Sequence, residues 1–277
     1  MNTTLYISDL DGTLFNNDSQ VSDTSAQILN RLIGKGLHFS IATARTPATV
    51  VPLLSGVNLS LPVVLMNGAA IYDIQNRRYM RTRSFSAEAV GQLLSILLEC
   101  RLSPFIYCLN NERTSLSVYY RTPAETLQQD FMKPRSGTEH KIFIPTADYR
   151  IDTKEYSEVL FLFTIGSYPL LKAAAEQVSA TGKYSVFCYT DTIQPEVGYL
   201  EIYTAGTSKA EAVQYLRTDY AYDKLVAFGD NLNDLPLFQI ADRKYATANA
   251  VEEIKQLADR VIGSNQQDGV ARFLETE

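Results

Sequence analysis

The run LYISDLDGTLF, residues 5–15, ends an apolar stretch in two aspartates, Asp9 and Asp11, followed at once by Gly12 and Thr13. Two carboxylates that close repel each other unless a cation or a proton lies between them. The chemistry open to such a pair is nucleophilic and acid–base. Asp9, ionised at neutral pH, can attack an electrophile. Asp11, two residues on and on the same side of an extended chain, can protonate a leaving oxygen and then activate water. Gly12 permits a sharp turn, and Thr13 is placed to hold Asp11. The competing reading is a hairpin, because Asp-Gly between apolar runs is a strong turn signal. A calcium loop is excluded, since its sixth position requires Gly and Leu14 stands there.

Three further polar clusters follow apolar runs: Thr43, Ala44 and Arg45 in IATAR, Lys209 in AGTSK, and Asp230, Asn233 and Asp234 in GDNLND. A hydroxyl at Thr43 beside a helix N-terminus can donate to a phosphate oxygen. Arg45 can grip the same anion or serve as an ordinary surface arginine. Ser208 and Glu211 have capping-box spacing, which puts Lys209 in a first helical turn, against the positive end of the helix dipole. A bound anion would remove that conflict; the bland alternative is a lysine reaching along the surface to solvent. Asp230 and Asp234, one helical turn apart, suit a hard cation such as magnesium, though an acidic first turn is also favourable for its own reasons. Asp9 and Asp230 could share the ion with a backbone carbonyl of Asp11, which would make the paired carboxylates tolerable. Asn67 in MNGA reads as a turn residue, with a place in the crevice as the alternative.

The elements that must position these groups alternate. TLYISDL, LHFSIAT and PVVLMNG read as strands separated by the helices TSAQILNRLIGKG and TPATVVPLLSG, the latter capped by Thr46 with Pro47 first in the helix. From YLEIYT onward, the rhythm resumes through SKAEAVQYL, KLVAFGD, NDLPLFQIA, KYATA, VEEIKQLA, RVIG and DGVARFLE. This order predicts an α/β fold, a Rossmann-like doubly wound parallel sheet, in which ligands bind outside the carboxyl ends of the strands. All four polar clusters lie at such ends. Between them, FIYCLN and SLSVYYR read as a strand pair, TPAETLQQDF as a helix boxed by Thr122 and Glu125, and VLFLFTIG and KYSVFCY as strands around YPLLKAAAEQV. That texture predicts an inserted α+β cap over residues 84–195, with residues 1–83 and 196–277 forming the core.

The 277 residues carry a formal charge of −6, which argues against a nucleic-acid or anionic-membrane partner. No run approaches the roughly 20 apolar residues of a membrane span, and MNTTLYISDL reads directly into a strand without a basic leader. Cys100, Cys108 and Cys188 are odd in number and widely spaced, as in reduced, cytoplasmic proteins. With His38 and His140 as the only histidines, histidine catalysis has little to work with.

DLDGTL, IATAR, TSK and GDNLND, in this order, resemble the four motifs of the haloacid-dehalogenase superfamily of aspartate-nucleophile phosphatases. NGAAIYD, ANAVEEIKQLAD and DGVARFL extend the likeness. An insert between the third strand and the lysine motif is similar to the type IIB cap of Cof-type sugar-phosphate phosphatases. The resemblance implies Asp9 as nucleophile and Asp11 as general acid/base. It implies phosphate held by Thr43, Lys209 and Asn233, with Ala44 and Arg45 beside them. Magnesium would sit on Asp9, the Asp11 carbonyl and Asp230, with Asp234 ligating or supporting. Ala44 stands where relatives usually have Gly, a departure that bears on substrate preference. The expected enzyme is a cytoplasmic monomer or weak homodimer that hydrolyses small phosphorylated metabolites, sugar phosphates first among them. A phosphosugar mutase and a non-catalytic phosphometabolite-binding protein are the rivals.

Overall fold

The computed structural model describes residues 3–122, 124–149, 156–191 and 194–277. The chain divides into two compact units, Met1–Arg81 with Ser208–Glu277, and Thr82–Thr207.

The first unit opens with β1 (Thr4–Ser8), α1 (Asp23–Gly34), β2 (His38–Ile41), α2 (Pro47–Leu53), β3 (Val63–Leu65), β4 (Ala70–Asp73) and β5 (Arg78–Thr82). The second unit follows with α3 (Ala87–Glu99), β6 (Phe105–Asn110), β7 (Leu116–Arg121), α4 (Thr126–Met132), β8 (Lys141–Thr146), β9 (Tyr156–Ser167), α5 (Tyr168–Ala180), β10 (Tyr184–Thr190) and β11 (Val197–Thr204). The chain returns to the first unit through α6 (Lys209–Asp219), β12 (Lys224–Gly229), α7 (Leu235–Ile240), β13 (Arg243–Thr247), α8 (Glu252–Leu257), β14 (Arg260–Ile262) and α9 (Gly269–Thr276).

Five strands of the first unit form a parallel sheet in the order β14-β13-β12-β1-β2. A parallel bridge between Ala42 and Val64 seats β3 beside β2. The order runs outward in both directions from the β1–β12 pair, so the switch point falls between these two strands, the place where an open α/β sheet leaves a crevice. Helices cover the sheet because their apolar faces match its own. Leu5, Ile7, Leu225 and Ala227 pack with Val213, Leu216, Leu237, Phe238 and Ile254 in one buried cluster. Burial of side chains of this size contributes about 1.5–3 kcal/mol each. Ser22 caps α1, its Oγ accepting from the Ser25 amide at 3.0 Å. The chain after β3 turns back antiparallel as β4, with β5 beside it, which the apolar patterning did not announce.

The second unit is one six-stranded sheet in the order β10-β11-β9-β6-β7-β8, antiparallel except for the β7–β8 pair. Strand alternation gives it two different faces. Ile106, Cys108, Leu162, Leu200 and Ile202 pack with Leu93 and Leu97 of α3 and Leu171, Ala174 and Val178 of α5. The opposite face carries rings: Tyr107 stacks on Phe161 at 4.1 Å, and Phe161 on Tyr203 at 5.1 Å.

Two local expectations change. YLEIYT, read as part of the core, is β11 and pairs with β9 and β10, so it belongs to the second unit. Its residues are buried on both faces of that sheet, a pattern that sequence cannot assign to one sheet over another. The box expected from Thr122 to Glu125 instead runs from Glu125 to Gln128, because the helix starts at Thr126.

Candidate active site

Asp9 follows the last residue of β1, and its amide donates to the Phe228 carbonyl of β12 at 3.1 Å, which fixes it at the switch point. From there the chain turns tightly. Gly12 adopts φ +74°, and a Cβ at that position would lie 2.2 Å from Asp230 Oδ2. Glycine is therefore required twice over, by the left-handed backbone and by the close approach of a carboxylate. The turn is held from outside. Thr247 Oγ1 and Asn249 Nδ2 both donate to the Gly12 carbonyl, at 3.2 and 2.7 Å. Asn265 Nδ2 donates to the Phe15 carbonyl at 2.9 Å, and the Asn265 amide to Asn249 Oδ1 at 3.0 Å. These three residues were not assigned a role from sequence. For Thr247 and Asn249 the only signal was ATANA itself, polar side chains at the end of an apolar strand; Asn265 gave none.

Lys209 is the hub of the buried charges. It is the first residue of α6, whose N-cap Ser208 accepts from the Glu211 amide at 3.2 Å. Its side chain turns inward, not to solvent. Nζ lies 2.9 Å from Asp9 Oδ1 and 2.7 Å from Asp234 Oδ1. Asp234 Oδ2 accepts from the Asp230 and Asn231 amides at 3.0 and 3.2 Å. Gly68, at φ +98°, lets the Met66–Gly68 turn pass against Ser208, since a Cβ there would meet the Ser208 carbonyl oxygen at 2.1 Å. Asn67 is a buried turn residue whose amide donates to the Thr43 carbonyl at 3.0 Å.

Thr13 does not hold Asp11, as its position suggested. Its hydroxyl donates to Asp230 Oδ1 at 2.7 Å. Asp11 is held by Arg45 through both oxygens, with Nε at 2.7 Å and Nη2 at 2.6 Å. A guanidinium fork meets a carboxylate in two hydrogen bonds, whereas a threonine offers one donor. Thr43 is buried, Ala44 and Asn233 are half-buried, and the Thr43 hydroxyl accepts from the Arg45 amide at 3.3 Å.

Oxygens of Asp9, Asp230 and Asp234 lie within 4.8 Å of one another, the one such acidic group among the described residues. Asp11, expected at the metal through its backbone carbonyl, has its carboxylate outside this group, paired with Arg45. Burial, then the charge of Asp234, pushes the Asp9 carboxyl well up, with Lys209 offsetting part of the effect and Asp230 adding to the push. The same two leading causes raise Asp230 to about 6, against the Thr13 hydrogen bond. Burial alone would pull the Lys209 ammonium down, but its pairs with Asp234 and Asp9 outweigh that and hold it above the usual lysine value. Three crowded carboxylates against one lysine are a donor set short of positive charge. All their atoms are hard oxygens, so a hard divalent cation fits them.

Residues 6–274 match the model of the haloacid dehalogenase-like hydrolases. The chain belongs to that family and is an enzyme of its phosphatase branch. It is 27% identical over 276 residues to 5-amino-6-(5-phospho-D-ribitylamino)uracil phosphatase YitU of Bacillus subtilis, covering 96% of this chain and 94% of that one. It is 26% identical over 275 residues to Endoribonuclease YBEY, chloroplastic, of Arabidopsis thaliana, spanning 95% of this chain but only 44% of the plant protein. Its fold matches a haloacid dehalogenase-like hydrolase from Bacteroides thetaiotaomicron with a TM-score of 0.81, 23% identity and 99% of each chain covered. It also matches the subclass IIB sugar phosphatase BT4131, with a TM-score of 0.74, 20% identity and 99% and 98% covered. No helix among the described residues is long and apolar enough to cross a membrane.

Proposed function

We propose that the chain is a magnesium-dependent phosphomonoesterase for small phosphorylated metabolites, phosphorylated sugars and polyols first among them, acting through an aspartyl phosphate on Asp9. The observation that carries this reading is a single buried carboxylate, Asp9, at the switch point of the sheet, 2.9 Å from a buried lysine and grouped with two more carboxylates. The YitU relative, named for a phosphorylated ribityl compound, supports the substrate class.

In this reading an Asp9 oxygen attacks phosphorus, the ester P–O bond breaks, and Asp11 gives its proton to the departing alkoxide. Water then attacks the same phosphorus, Asp11 takes the proton back, and the bond to Asp9 breaks. Asp11 gives up a proton in the first step, and in this structure Arg45 holds both of its oxygens. A phosphate anion offers Arg45 a competing partner, and its arrival frees Asp11. Thr43, the backbone at Ala44, Lys209 and Asn233 hold the remaining phosphate oxygens. Magnesium would be held by Asp9, Asp230 and the Asp11 carbonyl, where it offsets the carboxylate and phosphoryl charges. Asp234 supports, because Lys209 and two backbone amides already occupy its oxygens. A cytoplasmic location and a monomer or weak homodimer complete the reading.

The test is phosphate release from a panel of sugar, polyol, nucleotide and cofactor phosphates, with magnesium or with chelator. Turnover that needs magnesium and disappears in Asp9→Asn is the expected result. A panel that binds yet releases no phosphate overturns the phosphatase reading in favour of a mutase or a sensor.

A further inference from the structure

Three loops of the first unit meet around the carboxylates, and each pair of them is tied. The turn at residues 9–13 reaches the loop after β12 through the Thr13 hydroxyl, which donates to Asp230 Oδ1 at 2.7 Å. Residues 247–251, at the end of β13, hold both of the others. Thr247 Oγ1 and Asn249 Nδ2 donate to the Gly12 carbonyl at 3.2 and 2.7 Å, and the Val251 amide donates to the Asp230 carbonyl at 2.9 Å. This third loop is itself closed, the Ala250 amide returning to the Thr247 carbonyl at 2.9 Å. The Asn249 side chain is oriented from its other end, where Oδ1 accepts from the Asn265 amide at 3.0 Å.

A carbonyl oxygen has two lone pairs. At Gly12 both are met by side chains, from 235 and 237 residues further along the chain. Two protein donors on one carbonyl fix its peptide plane in direction and in place. Asp11 (φ −70°, ψ 125°) and Gly12 (φ 74°, ψ −7°) are the central pair of a type II turn. The plane held in this way is therefore the neighbour of the peptide that carries the Asp11 carbonyl. Asp9, Asp230 and Asp234 offer oxygens within 4.8 Å of one another, with Lys209 as the one cation paired to them. Ionised, as ligands of a metal must be, they push apart the loops that carry them. Asp9 and Asp230 stand on different loops, and the ties between those loops oppose that push where the strands have ended.

We propose that Asn249 and Thr247 are positioning residues for the metal site: by holding the Gly12 carbonyl they keep the turn of Asp9 and Asp11 at a fixed spacing from Asp230, so that a divalent cation finds its ligands already placed. This rests on the magnesium reading given above. Both residues act through the Gly12 carbonyl, not on the cation or the ester. Removing an outer partner of this kind typically weakens metal binding by about 10–100-fold.

Manganese(II) titration of the full chain, with the free ion read by electron paramagnetic resonance, tests this without turnover. That ion shares magnesium's preference for carboxylate, carbonyl and water. Wild type is compared with Asn249→Ala, Thr247→Val and Thr247→Ser. Thr247 is buried; the valine keeps its shape and loses the donor, whereas the serine loses the methyl and keeps the donor. Wild type should bind, Asn249→Ala and Thr247→Val should bind about tenfold more weakly, and Thr247→Ser should bind as wild type does. Asn249 is exposed, so its replacement should leave the metal-free circular dichroism unchanged. Turnover of both weakened variants should return as magnesium is raised, with the ester KM at saturating magnesium unaltered. Equal affinity in wild type, Asn249→Ala and Thr247→Val overturns the proposal and leaves the metal reading standing. A loss in Thr247→Ser as large as in Thr247→Val also overturns it, because the effect would then be one of packing. A wild type that holds no manganese overturns the metal reading, and the proposal with it.

Discussion

Lys209 and Lys141 are equally hidden, at 1% and 2% exposure, and they differ in what surrounds the ammonium. Lys209 in the parallel-sheet unit is pinned between Asp9 and Asp234 and held above its ordinary pKa. Lys141 in the mixed-sheet unit faces a ring and an arginine and is pulled down to about 8. Depth of burial is the same; compensation is not. The first lysine is part of a network that is short of positive charge, and the second has no acceptor or counter-charge at its ammonium among the described residues. The first imbalance matches the sign of the cation proposed at the carboxylates.

The largest effect that could break this contrast is Lys209→Met. It leaves Asp9 and Asp234 buried without their cation, a change that typically costs about 3–5 kcal/mol. Lys209 has a raised folded pKa, so its contribution is fully present below the ordinary lysine value and is lost only as pH rises through the folded one. Urea unfolding at pH 7 should show a loss of that order, and one that shrinks as pH falls and the raised Asp9 carboxyl takes up a proton. Phosphate release should fall below detection in the same variant. Unchanged stability in Lys209→Met would mean that the three carboxylates do not need the lysine.

Lys141→Met should move the other way. The folded state holds this amine at about 8, below its unfolded value, so the charged form is disfavoured in the fold. The penalty is present below pH 8 and disappears as pH rises from there toward the unfolded value. Replacing the amine with a similar apolar chain should therefore raise stability by about 2 kcal/mol at pH 7, with the gain gone near pH 10. Thermal unfolding of both proteins across that range is the measurement. A loss at pH 7 would show that Lys141 has a compensating partner, and the two lysines would then be alike.

How much of this was open to reading in the sequence follows from the range of the interactions. Asp9 and Asp230 were readable because each follows an apolar run that is a strand of the parallel sheet, and β1 and β12 are neighbours there. Lys209 was placed by its capping-box spacing instead, since the strand before it lies in the other sheet. The two carboxylates at Asp230 and Asp234 were readable from the apolar run before them. Contacts across long separations were not. Thr13 reaches over 217 residues to Asp230, and Asn249 reaches over 237 to Gly12. Short polar side chains satisfy whichever neighbour the fold provides, and no spacing encodes that choice. The strand Val197–Thr204 was found as a strand but put in the wrong unit, because alternation reports a period and not a partner. Lys141 gave no signal, since a lysine opening KIFIPT looks like any charged strand end until the face on which it lies is known.

Asp230 lies between the two lysines in kind, a buried charge with partial compensation, and it sharpens the contrast through the smallest effect. Its pKa of about 6 balances burial and the Asp234 charge against one hydrogen bond from Thr13. Because the folded pKa is raised, the metal-free protein loses this group's contribution to stability as pH rises from the ordinary carboxylate value through about 6. A cation reverses that slope, since it binds the ionised carboxylate and competes with the proton. The rise in Tm on adding magnesium should therefore be small at pH 5 and grow through a midpoint near 6. Thr13→Val removes the hydroxyl that favours ionisation, with a stability cost of about 1 kcal/mol. It should move the midpoint of the magnesium effect upward by less than one unit. A midpoint that stays in place after Thr13→Val would separate the hydrogen bond from the metal site. A magnesium effect with no pH dependence would remove Asp230 from that site altogether.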